Sequence, residues 1–123
     1  MTARIVLVED ELHIIEALSF ILSREGFDVD TFTTGVGLVE KLQDAPPNLV
    51  VLDYMLPDIS GLQILNEIRA TEALKTLPVL MLTAKGQAKD REAAETAGVS
   101  RFMTKPFSNA EIIDVTKEMC RND

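Results

Sequence analysis

The chain has 123 residues, 46% of them apolar and 26% charged, which is one domain's length and enough to bury a core without staples. Acidic residues number 20 against 12 basic ones, a net charge of −8 at pH 7, which argues against nucleic acid or anionic membrane as a direct partner. A single cysteine, Cys120, excludes an internal disulfide and a CxxC pair, and fits a reducing, cytoplasmic setting. No apolar run approaches the roughly 18 residues of a membrane span. Met1 to Arg4 leads straight into a strand-like stretch, not a signal peptide.

In chain order, Ile5 to Val8 reads as a short strand buried on both faces. Leu12 to Glu25 reads as a helix with one apolar stripe of Ile14, Ile15, Leu18, Ile21 and Leu22, capped by Asp10 and ended by Gly26. Asp28 to Phe32 is a more polar edge strand. Thr34 to Ala45 reads as a helix closed by Pro46 and Pro47. Leu49 to Leu52 is a second buried strand, and Ser60 to Thr71 a helix with Leu62, Leu65 and Ile68 on one side. Val79 to Leu82 is a third apolar strand, and Ala88 to Ala97 an alanine-rich helix stopped by Gly98. Arg101 to Met103 is a short strand. Ser108 and Glu111 form a capping box for a last helix running to about Cys120.

Strands alternating with helices define an α/β domain with a parallel sheet and right-handed crossovers. The expected architecture is doubly wound and flavodoxin-like: five strands in the order 2-1-3-4-5, helices on both faces, one domain over residues 1–123. Ligands of such sheets bind beyond the carboxyl ends of the strands, where the strand order reverses. Glu9 and Asp10 follow the first strand, Asp53 the third, Thr83 the fourth, and Thr104-Lys105-Pro106 the fifth. In the expected order, Glu9, Asp10 and Asp53 converge, with Thr83 and Lys105 across from them.

Three carboxylates this close repel one another, and a hard divalent cation removes the conflict. An all-oxygen site that keeps several waters suits Mg2+. Lys105 then offers a fixed positive charge and Thr83 a hydroxyl to the oxygens of a phosphoryl group. A carboxylate nucleophile can accept such a group as an aspartyl phosphate.

Four motifs now stand at strand ends in order: Val8-Glu9-Asp10-Glu11, Asp53 through Gly61 (DYMLPDISG), Leu82-Thr83-Ala84, and Phe102-Met103-Thr104-Lys105-Pro106-Phe107. With them the whole chain resembles a two-component response regulator receiver domain of the chemotaxis-regulator type. The resemblance implies that Asp53 is the phosphoacceptor, fed by a histidine kinase or a histidine phosphotransfer protein. It implies Mg2+, with Mn2+ an alternative, bound by Asp10, Asp53 and the backbone carbonyl of Met55, with Glu9 in support. Thr83 and Lys105 would contact the phosphoryl oxygens. Thr83 and Phe102 would form the switch, and Pro106 would follow a cis peptide bond. Lys85 and Met55 would flank the hydrolytic water.

The same resemblance makes the fourth helix, fifth strand and fifth helix the face that meets a downstream protein or an attached output domain. Relatives that bind DNA often carry an acidic pair before the switch aromatic and use it to dimerise; Ser100-Arg101 stands there in this chain. With no output segment before Asp123, the unit reads as one receiver, either standing alone or followed by a domain outside the sequence. It is a phosphoacceptor rather than an enzyme with turnover. Two alternatives stay open: a magnesium-dependent aspartyl-phosphate phosphatase, for which Asp28-Val29-Asp30 resembles a nucleophile pair, and a protein-binding module that is never phosphorylated.

Overall fold

A computed structural model describes residues 2–84 and 88–121, the last of these by its backbone alone. The strands are β1 (Arg4–Val8), β2 (Asp28–Phe32), β3 (Leu49–Asp53), β4 (Val79–Thr83) and β5 (Arg101–Thr104). The helices are α1 (Leu12–Arg24), α2 (Leu38–Asp44), α3 (Gly61–Ala70), α4 (Ala88–Thr96) and α5 (Asn109–Arg121), with a 3-10 turn at Glu72–Leu74. The sheet is parallel throughout, as the alternation of elements predicts, and runs β2-β1-β3-β4-β5, the order expected of a flavodoxin-like fold.

Strand periodicity divides the core into two layers. Val6, Val8, Val50, Leu52, Val79 and Met81 face α2 and α3, meeting Leu38, Leu42, Ile64, Leu65 and Ile68. The alternate residues Ile5, Leu7, Leu49, Val51, Leu80, Leu82 and Met103 face α1 and α5, meeting Leu18, Leu22, Ile112 and Met119. This is why the central strands read as unbroken apolar runs: each residue is buried on one face or the other. Each fully buried leucine or isoleucine contributes about 1.5–3 kcal/mol of transfer free energy. The edge strand β2 keeps its polar residues outward, and Arg4 Nε bonds Asp30 Oδ2 across it at 2.8 Å.

Three local details differ from the sequence reading. The second helix begins at Leu38 rather than Thr34. Gly37 has a left-handed φ of 74°, which interrupts a helix. Gly35 lies so close to Ile64 and Ile59 that a Cβ there would collide with both side chains, so Thr34 to Gly37 is a loop packed on α3. Asp10 does not cap α1: its N-cap is Glu11, with no side-chain cap bond. A buried carboxylate takes over part of that role, for Glu9 Oε2 accepts the Glu11 N–H at 3.1 Å. The 3-10 turn after α3 is too short to show a period in the sequence. The capping box of α5 forms in both directions, Ser108 with Glu111, each at 3.0 Å.

Candidate functional site

Because every strand is parallel, all five carboxyl ends open on the same edge of the sheet. Register then selects what meets there. Val8 pairs with Leu52, so Glu9 stands level with Asp53, and Asp53 itself pairs with Leu82. Alternation puts Glu9 in line with Ile5 and Leu7, Asp53 with Leu49 and Val51, and Lys105 with Met103, all on the α1–α5 face. Thr83 and Phe102 belong to the other face, since Phe102 pairs with Met81 and Thr83 follows Met81 by two.

Glu9, Asp10 and Asp53 bring ligand oxygens within 4.8 Å of one another. Glu9 is fully buried and Asp53 is 4% exposed, whereas Asp10 lies at the open mouth. Lys105 reaches in from β5 and ties them: Nζ donates to Glu9 Oε1 at 3.0 Å and lies 3.6 Å from Asp53 Oδ1. Asp53 Oδ1 also accepts the Met55 N–H at 3.3 Å. Burial, then the charge of Glu9, pushes the Asp53 carboxyl up to about 6, although Lys105 and the Met55 amide pull the other way. Burial by itself would lower the Lys105 ammonium. Its hydrogen bond to Glu9 and the charges of Asp53, Glu9 and Glu11 outweigh that and leave it above its ordinary value.

The backbone around these groups is tightly set. Tyr54 N donates to Leu82 O at 2.7 Å, and Gly61 N donates to Tyr54 O at 3.0 Å, which folds the β3–α3 loop back over its own start. A Cβ at Gly61 would strike the Asp53 carbonyl and Tyr54 Cα, so only glycine fits there. Ser60 then caps α3, its Oγ accepting from Gln63 N at 3.1 Å. Lys105 N donates to Thr83 O at 2.6 Å, which joins the β4 and β5 ends, and the Lys105–Pro106 peptide bond is cis.

The structure thus brings together Glu9, Asp10, Asp53 and Lys105, with the buried Thr83 at the neighbouring strand end. Met55 is 68% exposed at the rim. Phe102 is half-buried against the α2–α3 core layer. Lys85 lies outside the described residues. Asp28 starts β2 opposite Arg4, at the far end of the strands from Asp53, so it does not join the site. Sequence reasoning did not find the Glu9–Lys105 ion pair or the role of Gly61. The glycine after DYMLPDIS was a visible signal; the pair, 96 residues apart, had none.

Three oxygen-donor carboxylates, two of them buried, form a hard and strongly negative donor set, which fits a small divalent cation such as Mg2+. A parallel sheet of this order, with an acidic cluster and a lysine at the carboxyl edge, defines a class: the receiver fold. The receiver domain of the sensor histidine kinase PA1611 from Pseudomonas aeruginosa, solved with a magnesium ion in its active-site cleft, matches with a TM-score of 0.90 at 27% identity, over 99% of this chain and all of that one. The sequence profile of the "Response regulator receiver domain" matches residues 5–117, and the chain belongs to that family. It is 36% identical to the phosphate regulon transcriptional regulatory protein PhoB of Rhizobium meliloti over 98% of its length, and 39% identical to the regulatory protein VanRc of Enterococcus gallinarum over 98%. It spans about half the length of these curated relatives, 53% and 51% respectively. No described helix is long and apolar enough to cross a membrane.

Proposed function

We propose that this receiver domain is a phosphorylation-dependent switch in which Asp53 accepts a phosphoryl group from a phosphohistidine of a histidine kinase or phosphotransfer protein. The observation that carries the reading is the buried Asp53 carboxylate, held 3.6 Å from the Lys105 ammonium and within reach of two further carboxylates. An Asp53 oxygen forms the new O–P bond as the P–N bond of the donor breaks. The imidazole nitrogen keeps that electron pair and takes its proton from solvent. Lys105 exchanges part of its attraction to Glu9 for the incoming phosphoryl oxygens, and the Thr83 hydroxyl donates to another. Asp10, Asp53 and the Met55 carbonyl would hold Mg2+, or Mn2+ in its place, with Glu9 in support. When bound, the cation supplies the positive charge that lets three carboxylates and a phosphoryl group share one site.

The new group adds about −1.5 to −2 charge at the pocket and biases an existing equilibrium between resting and active forms. Thr83 moves toward the phosphoryl oxygens, Phe102 turns with it, and α4, β5 and α5 form the face that a downstream protein or attached output domain reads. On this reading residues 1–123 act as one receiver unit in the cytoplasm. The unit is a phosphoacceptor and turns over no external substrate.

The test is intact-mass measurement after incubation with Mg2+ and a small phosphodonor. The parent protein should gain one phosphoryl group and Asp53→Asn none. No gain in the parent, or an equal gain in both, would overturn the assignment.

A further inference from the structure

The acidic pocket takes its carboxylates from the ends of β1 and β3, and β2 supplies none of them. The loop after β2 instead meets the loop after β3, at two successive residues of each. Thr34 Oγ1 donates to Asp58 Oδ2 at 3.2 Å and accepts the Val36 N–H at 3.2 Å, so one hydroxyl shapes its own loop and reaches across to the other. Beside it, the buried Gly35 brings its backbone against Ile59 and Ile64. A Cβ there would stand 2.6 Å from Ile59 Cγ2 and would overlap the Ile64 side chain as well. Ile64 is fully buried and Ile59 packs on the same core layer. The ends of the β3–α3 loop are pinned by backbone bonds, Tyr54 N to Leu82 O and Gly61 N to Tyr54 O. Asp58 and Ile59 lie between those ends, and there Thr34 and Gly35 engage the loop.

We infer that Thr34 and Gly35 are positioning residues: from the β2–α2 loop they clamp the β3–α3 loop and so hold Met55 ready for the divalent cation. The inference rests on the reading proposed above, in which the Met55 carbonyl is one of the cation's ligands; the clamp itself stands on the contacts. With both loop ends pinned, a shift at Asp58 or Ile59 is taken up by residues 55–57. A loop ordered before binding gives up no further conformational freedom when the cation arrives. Loss of the Thr34–Asp58 bond therefore weakens cation binding about two- to fivefold, the lower part of the range for one net hydrogen bond. Asp58 is also an exposed charge, which attracts a cation by itself. A neutral side chain that keeps the acceptor oxygen separates the two effects.

The test measures the Mg2+ Kd by calorimetric titration, and amide hydrogen exchange at Met55 and Gly61 in the metal-free protein. The variants are Thr34→Val, Thr34→Ser, Asp58→Ala, Asp58→Asn, Gly35→Ala and the Thr34→Val/Asp58→Ala pair. Thr34→Val and Asp58→Ala should each raise the Kd and speed both amides about two- to fivefold. The double variant should go no further than either. Thr34→Ser and Asp58→Asn, which keep the donor and the acceptor, should stay near the parent. Gly35→Ala, whose Cβ must displace Ile59 or Ile64, should move both readouts at least as far, and the Thr34 and Asp58 variants decide the matter where it fails to fold. An unchanged Kd or unchanged exchange in Thr34→Val or in folded Gly35→Ala would overturn the clamp. So would effects that multiply in the double variant, or Asp58→Asn weakening binding as much as Asp58→Ala. A parent that binds no Mg2+ would instead break the cation reading, while the exchange cycle still decides whether Thr34 and Asp58 hold the loop.

Discussion

The two ends of the sheet both enclose charge, and they balance it in opposite ways. At the amino end of β4 and β5, the half-buried Arg69 guanidinium donates to Gly98 O, Leu77 O and Ser100 Oγ, and Ser100 Oγ also accepts the Val79 N–H at 3.0 Å. One cation is surrounded by neutral acceptors, and burial lowers its pKa without creating a rival charge. At the carboxyl end, one lysine faces Glu9 and Asp53, with Asp10 beside them. Negative charge is in excess there, and Asp53 is pushed up to about 6 by burial and by Glu9. The first arrangement is satisfied and stabilises the fold. The second stays frustrated until further positive charge arrives, and this makes it responsive to a cation.

The contrast can be broken or sharpened by substitution. The largest effect is expected from Lys105→Met, which keeps the apolar stem but strands two buried carboxylates. Chemical denaturation at neutral pH should show a loss of about 3 kcal/mol, shrinking in acid as the carboxylates take up protons. Arg69→Met, which unpairs three acceptors at the other end, should cost about 2 kcal/mol and show no such recovery in acid.

Asp53→Asn should have the opposite sign. The Asp53 pKa rises from 3.8 to about 6, so the folded state holds more protons than the unfolded state between those values. Stability contributed by this group is therefore present below about pH 4 and falls as pH rises through about 6. Removing the charge should stabilise the protein by about 1–2 kcal/mol at pH 7 without Mg2+, after discounting for water at the mouth, and by nothing below about pH 4. Thermal unfolding with added Mg2+ should rise in the parent and in Arg69→Met, since a ligand of the folded state alone must stabilise it, and rise much less in Asp53→Asn. An equal response in all three would remove the distinction between the two ends. The smallest effect belongs to Ser100→Ala, which loses the acceptor for Val79 N–H and should cost about 1 kcal/mol by denaturation, with its Mg2+ response intact.

Much of this was legible in the residues. Unbroken apolar runs at Ile5–Val8, Leu49–Leu52 and Val79–Leu82 mark strands covered on both faces, and the helical stripes between them require a parallel sheet. Polar residues just past such runs stand at one edge, so Glu9, Asp10, Asp53, Thr83 and Lys105 could be singled out before any contact was known. The helix start at Leu38 was less legible, because Thr34 to Gly37 is shaped by contacts with Ile59 and Ile64 that no local pattern encodes.

By itself, then, the sequence determined the order of elements and the carboxylates, hydroxyl and lysine that line one edge, since period and turn chemistry are local properties of the chain. Only the tertiary structure decided that Glu9 is wholly buried and paired with Lys105, that Arg69 gathers three acceptors, and that Arg91 covers Phe102. Charge balance depends on distance and burial, and both are set by segments that meet only when the sheet closes and the helices pack against it.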